Sequence, residues 1–481
     1  MTAAFAVAVG LVLWFVFRRL ERTDRSTTVV AIVWGLLLLD TCLYPNESTV
    51  PTGLIHPAIG GLSFRLLDVV VLVALAARLT ISGIPRFGPR GLLWGAFLAW
   101  IATAGVLGFL NGNATDQLTF EGKELLYLGA MLLTAGIPAS RYLESGFLTK
   151  LIVATSALAT LLLITSTAGI TFSLGSQVAP ASAGAPGTAD TTYLAAGTLG
   201  TDTTTIFVAL GIVALALGLN ASRPRQRFVL MLASAPLLAS TLGSTQRAAF
   251  VGLGVSLAVL IVLCAISRRR LKAKPVELGL AGLAVIALVV GPTVLKTISN
   301  EKPAAVPFSS QVETGFVSRG KQLSTQDRLN QWQMAKRLIE ARPVFGWGLG
   351  KIYSYFEPGS MEFVQLDITH NIGLDILVRT GAVGFLLFVA ALATSLFGAL
   401  RTWYRSREEL IAALALGATA AVLGLLGKGM AESIFEKYRI AVALGLFLGI
   451  LLSAATAGEQ VREATQPKEE LLDLRPVPVP A

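Results

Sequence analysis

Only two histidines occur in the 481 residues, and one of them, His370, stands where polar chain turns apolar, in "QLDITHNIGLDILVRTGAVGFLLF" (Gln365–Phe388). An imidazole, with an ordinary pKa of about 6.5, can take a proton from an alcohol near neutral pH. Asn371 beside it can orient a substrate or simply cap the helix that follows. Arginines offer the complementary chemistry. Arg247, in "STLGSTQRAAFVGLGV", joins two apolar runs with no acidic residue within twenty positions on either side. It reads either as a snorkelling side chain or as a guanidinium facing a cavity, where its planar fork suits phosphate oxygens. The polar stretch 299–369 adds Arg319, Lys321, Arg328, Lys336, Arg337, Arg342 and Lys351. Part of these form a solvated helix face; their concentration points to an anionic ligand.

Other chemistries find no support. No Asp-x-Asp pair offers a cation site for a nucleotide sugar, "GxSxG" is absent, and no metal-ligand cluster accompanies His370. "PVFGWGLG" (Pro343–Gly350) has glycines at alternate positions, yet no strand precedes it and no Lys-Ser pair follows. It reads as a turn that lets backbones approach closely, not as a phosphate loop. Cys42 and Cys264 lie far apart in apolar segments and read as small core residues.

The elements that must position these groups are membrane helices. Hydrophobic residues make up 54% of the chain and charged residues only 14%, with a mean hydropathy of +0.68. Globular proteins carry roughly 25% charged residues. Apolar runs long enough for a bilayer fall at roughly 3–17, 27–44, 60–80, 91–110, 124–139, 150–167, 203–219, 228–245, 248–266, 276–297, 371–400, 410–429 and 439–455. The expected fold is an all-α polytopic membrane protein of about 12–13 transmembrane helices, with one large, partly helical outer loop. The first run lacks a basic leader and cleavage site, so it reads as a membrane helix or signal anchor.

Every second loop is basic, from Arg18, Arg19, Arg22 and Arg25 to "SRRRLKAK" (Ser267–Lys274) and Arg401, Arg405 and Arg407. These loops belong in the cytoplasm by the positive-inside rule. The net charge of +10 is thereby used for orientation, and it carries no sign of a nucleic-acid partner. The chain divides into helices over 1–298, an outer loop over 299–369, further helices over 370–457 and a disordered inner tail over 458–481. A second outer loop, 168–200, is rich in Gly, Ala, Ser, Thr and Pro and reads as flexible. Within 299–369, Ser324–Pro343 reads as an amphipathic helix presenting Leu329, Trp332, Met334, Leu338 and Ile339. Charges within apolar runs need partners. Arg65 with Asp68, and Asp375 with Arg379, have the spacing of local pairs.

"DRLNQWQMAKRLIEARPVFGWGLG" followed by "DITHNIGLDILVRTGAVGFLLF" resembles the signature region of the O-antigen ligase and O-antigen polymerase superfamily. The pattern is carried by Arg328, Trp332, Pro343, Gly346, Gly348, His370, Asn371 and Gly381, with Arg247 similar to the family's arginine at the head of a span. The resemblance implies a GT-C-like, metal- and cofactor-independent inverting glycosyltransferase in the bacterial cytoplasmic membrane. Its active site would face the periplasm or exterior, and it would serve cell-surface polysaccharide synthesis, of which lipopolysaccharide is one case. The donor would be a glycan on polyprenyl (undecaprenyl) diphosphate, the acceptor a hydroxyl of a lipid or glycan. His370, Arg247 and Arg328 would be catalytic; Arg319, Trp332, Asn371 and Arg65 would bind substrate. A polymerase extending the glycan repeat and a polytopic transporter are the alternatives.

Overall fold

A computed structural model describes residues 2–43, 58–59, 62–63, 66–83, 89–144, 146–167, 201–243, 247–267, 319–357, 362–366, 369–432, 434–435 and 437–465. The helices are α1 (Thr2–Arg22), α2 (Ser26–Leu43), α3 (Leu66–Ser82), α4 (Pro89–Leu110), α5 (Thr115–Leu126), α6 (Met131–Ala135), α7 (Ala139–Glu144) and α8 (Phe147–Thr167). They continue with α9 (Thr201–Asn220), α10 (Pro224–Ala239), α11 (Arg247–Ile266), α12 (Arg319–Ala341), α13 (Ile372–Arg405), α14 (Glu409–Gly429) and α15 (Tyr438–Thr465). Two antiparallel hairpins, β1 (Ala58–Ile59) with β2 (Leu62–Ser63) and β3 (Tyr353–Glu357) with β4 (Glu362–Leu366), are the sheet among the described residues.

Among those residues, seven helices (α4, α8, α9, α11, α13, α14 and α15) are long and apolar enough to cross a membrane, and α2 is a shorter apolar helix. The protein is an all-α polytopic membrane protein. The expected span 276–297, the loop 168–200 and the tail beyond 465 lie outside the described residues. α15 continues through Thr465, past the boundary expected at 457.

Small residues set the helix spacing. Gly211 and Gly218 of α9 lie against Leu237 and Met231 of α10, and Gly417 of α14 lies against Val213 of α9. A glycine in each contact lets the backbones close, which is how helices associate where lipid gives no hydrophobic drive. α9, α14 and α15 form the enclosed centre, while α4, α8, α11 and α13 keep one face outward.

One expected span is absent as a helix. Residues 124–139 form the end of α5, a 3₁₀ turn (Tyr127–Ala130), the short α6 and a further turn. Irregular backbone at membrane depth needs partners from protein, and α15 supplies them. Thr134 Oγ1 donates to Leu446 O at 2.9 Å, and Ser453 Oγ donates to Ile137 O at 2.6 Å. The helix from Pro224 is also shorter than the expected 228–245: it holds Pro236 and tightens into a 3₁₀ turn at Ser240–Gly243.

Candidate functional site

His370 precedes the N-cap of α13 and is partly buried, held between two anchored neighbours. Asn371 caps the helix: its Oδ1 accepts from Gly373 N at 3.0 Å and Leu374 N at 3.1 Å. Its Nδ2 donates across to Met430 O, at the end of α14, at 3.2 Å. Thr369, on the other side, is buried and donates through N and Oγ1 to Asp375 Oδ1 at 3.5 and 3.4 Å. The helix-entry reading of "THN" is therefore what the geometry shows for Asn371, with an added tie to α14.

The head of α11, where Arg247 stands, reaches the same turn. The backbone at Gly252 packs on Gly424 and Lys428 of α14, and Val255 packs on Gly427. α11 and α14 run antiparallel through this contact, so the start of α11 lies beside the residues that follow Lys428. α12 packs on α13 from the other side. Ala335 and Leu338 form one buried cluster with Val378 and Tyr353, and Met334 and Leu374 pack against it. Arg328 and Trp332, both partly buried, belong to this helix. The buried face centres on Gln331, Ala335 and Leu338; Leu329, expected on it, is exposed.

Pro343–Gly350 has a structural role. α13 is broken at Gly381 (φ 64°, ψ −170°), which leaves backbone groups unpaired along its own axis. The turn takes them up. Trp347 N donates to Val378 O (2.8 Å), Gly348 N to Arg379 O (3.0 Å), Ala382 N to Pro343 O (2.8 Å) and Val383 N to Val344 O (3.2 Å). Gly346 and Gly348 have φ of 72° and 81° and admit no side chain: a Cβ on Gly346 would lie 2.6 Å from Gly381 N. Gly350 N donates to Glu121 Oε2 at 2.7 Å.

Glu121 of α5 then pairs with Arg379, whose Nε donates to Asp375 Oδ1 at 3.1 Å. The local Asp375–Arg379 pair is present, extended by a partner that sequence spacing does not reveal. Burial pushes the Glu121 carboxyl up to about 7, against the pull of Arg379 and the Gly350 N–H.

A second ionic cluster lies under the α14 turn. Lys428 pairs with Glu432 (3.2 Å), Glu432 with Lys437 (2.7 Å), Lys437 with Asp202 (3.7 Å), and Arg439 with Asp40 (2.8 Å). Burial works against the Glu432 charge, but Lys428 and Lys437 prevail and hold its carboxyl down to about 2. Three cations meet three carboxylates, the balance that buried charge requires. Lys428 also lines a cavity of about 10 Å³ with Thr205 and Ser256, room for one water.

Of the sequence-based site residues, Arg65 lies outside the described residues, as does any pairing with Asp68. Asp68 meets Lys123 at 3.8 Å and the Tyr127 hydroxyl. Arg247 and Arg319 each begin a helix. Among the described residues no group of three or more His, Cys, Asp or Glu side chains is placed to hold a metal ion.

The fold is that of a multi-pass helical membrane protein with a histidine set just ahead of a helix head. Residues 232–389, about a third of the chain, match the family model described as O-antigen ligase. The match runs from α10 into α13 and holds Arg247, Arg319, Arg328, Trp332, the glycine turn, His370 and Asn371. No curated protein matches the chain.

Proposed function

We propose that the protein transfers a glycan from polyprenyl diphosphate to an acceptor hydroxyl at the outer face of the cytoplasmic membrane, with inversion. The observation that carries this reading is the family match over the segment that sets His370 between Thr369 and Asn371, both tied down. His370 accepts the proton of the acceptor hydroxyl as its oxygen attacks the anomeric carbon. The bond from that carbon to the diphosphate oxygen breaks, and the diphosphate leaves with the electron pair. Arg247 and Arg328 meet the charge growing on the leaving group, with Arg319 and Arg65 as further phosphate contacts and Trp332 as a sugar contact. A donor aimed at such developing charge contributes about 3–4 kcal/mol in well-studied hydrolases. The basic-loop pattern supports the outward placement of the His370 end.

The test is purified protein in liposomes with a polyprenyl-diphosphate oligosaccharide and candidate lipid acceptors, followed by mass analysis. One glycan added per acceptor supports ligation, and a ladder of glycan repeats would replace that reading with polymerisation. His370→Ala and Arg328→Ala should abolish transfer while the protein stays folded in the membrane. Near-normal transfer by either removes that residue from the catalytic set. Because guanidinium groups meet the leaving charge, EDTA should leave the rate unchanged; full loss restored by magnesium would overturn this mechanism.

A further inference from the structure

The stretch 299–369 reads from sequence as a loop wholly outside the membrane, yet part of it packs deep among the helices. The ring of Phe345 lies 5.9 Å from that of Trp100, which stands midway along α4. At a rise of about 1.5 Å per residue, that midpoint is about 15 Å from either end of the helix. Trp100 Nε1 in turn donates to Thr380 O, at the break in α13. On either side of Phe345 the chain returns to the end of α4. Arg342 donates to Asn111 Oδ1 at 2.7 Å, and Trp347 O accepts from Asn111 and Asn113, both at 3.0 Å.

We propose that Pro343–Gly350 is a re-entrant turn whose tip, Val344 and Phe345, is seated in the hydrocarbon of the bilayer.

Three independent observations support this, and none depends on the catalytic reading. Val344 and Phe345 are 49% and 56% exposed although they lie at span depth. They continue the outward apolar faces of the two helices they join, where Val106 and Phe109 of α4 and Leu386 and Val389 of α13 are exposed as well. Lipid is what covers those faces.

The turn also meets the condition that hydrocarbon imposes on irregular backbone, which is that its polar groups be satisfied by protein. The amides of Trp347, Gly348, Leu349 and Gly350 donate to Val378 O, Arg379 O, Ala104 O and Glu121 respectively. The carbonyls of Pro343, Val344, Trp347 and Leu349 accept from Ala382, Val383 and the Asn113 amide. A loop exposed to water would need none of this.

Finally, the turn is cationic at both shoulders and nowhere in between. Arg342 and Lys351 both lie over the Trp347 ring, at 4.2 and 4.4 Å from its centroid. An aromatic flanked by cations at the edge of an apolar segment suits the headgroup layer.

The test is a nitroxide scan of the full chain in phosphatidylcholine–phosphatidylglycerol liposomes, in a Cys42→Ala, Cys264→Ala background. Spin label on Phe345→Cys and Val344→Cys should relax faster with oxygen than with a water-soluble nickel chelate, matching a label on the lipid-facing Val106→Cys. Label on Arg342→Cys should show the reverse preference. The Val106 position reports that the bundle is folded and reconstituted. Nickel accessibility at 344 and 345 equal to that at 342, with Val106 still lipid-like, would overturn the proposal.

Discussion

Gly346→Ala tests the claim that the glycine turn completes the broken helix. The new methyl would lie 2.6 Å from Gly381 N and 2.7 Å from Arg379 O, both backbone atoms that cannot swing aside. A residue other than glycine in the left-handed region adds roughly 1–2 kcal/mol of strain. The larger cost is displacement. Four backbone hydrogen bonds of 2.8–3.2 Å join the turn to α13. Opening two of them among apolar neighbours costs about 1–3 kcal/mol each, because the groups are left unsatisfied. The expected total is roughly 3–8 kcal/mol. For a chain this long that lowers the thermal midpoint by about 3–8 °C, extending the usual size scaling. The assay is a melt of purified protein in mild detergent, read from intrinsic tryptophan fluorescence. Gly254→Ala is the control, because a methyl there meets nothing within 4 Å; it should be neutral or slightly stabilising, since alanine favours helix by about 1 kcal/mol. Midpoints for Gly346→Ala and Gly254→Ala that agree within a degree or two would refute the packing argument.

Glu121→Gln should flatten the pH dependence of stability. A carboxyl titrating near 7 in the fold and at an ordinary 4.5 when unfolded binds its proton more readily folded, so stability is full below 4.5 and falls as pH rises through 7. The change is on the order of 3 kcal/mol at most, and an unchanged melting profile between those values in the glutamine variant would assign the slope to another group. Asn371→Asp keeps the acceptor for Gly373 and Leu374 but loses the donor to Met430 O. It should melt like the parent and transfer glycan more slowly, whereas Asn371→Ala should also lose about 1 kcal/mol of cap; equal rates for parent and Asn371→Asp would show that the tie to α14 does not position His370. Arg439→Met leaves the Asp40 carboxylate without its cation, held only by the Tyr438 hydroxyl among the described residues, and should cost about 3–5 kcal/mol, with much of it recovered by adding Asp40→Asn. A double variant as unstable as the sum of its parts would mean the two residues do not act as a pair.

What the sequence revealed was local. The cap at Asn371 reaches two and three residues ahead, and Asp375 meets Arg379 one helical turn on, so composition and spacing sufficed. Alternating glycines without a strand before them could be read as a close-packing turn for the same reason. Glu121 was not legible, because its partners Gly350 and Arg379 are hundreds of residues away and nothing in "LTFEGKELL" marks it as buried. Asp40 and Arg439 are 399 apart in sequence. Hydropathy averages over such single charges, so an apolar run with one acid in it still reads as an ordinary span. The same averaging made 124–139 look like a crossing helix. Gly129, Gly136 and Pro138 were the available sign that it breaks, and the α15 groups that hold the break, Leu446 O and Ser453 Oγ, lie elsewhere in the chain.

The residues that carry the family resemblance thus separate into two physical kinds. Gly346 packs on Gly381, while Pro343 bonds to Ala382 and Gly348 to Arg379 through backbone, and a methyl on any of these glycines would collide with main chain. Substitution there should lower stability and transfer together. His370 is partly exposed, and its neighbours Thr369 and Asn371 are both tied down. Replacing it should remove transfer while lowering the melting midpoint less than substitution at the glycines, where main chain must move. Between them stands α13, whose N-cap directly follows the histidine and whose break receives the glycine turn. A helix that ran unbroken through Gly381 would carry its first turns off along the axis of the lower part, away from the α14 carbonyl that Asn371 reaches. The break is what lets the head of α13 lean on α14 while its lower part lies along α4, where Trp94 Nε1 donates to Ser395 Oγ at 3.0 Å. The position of the imidazole follows from a glycine more than two helical turns away.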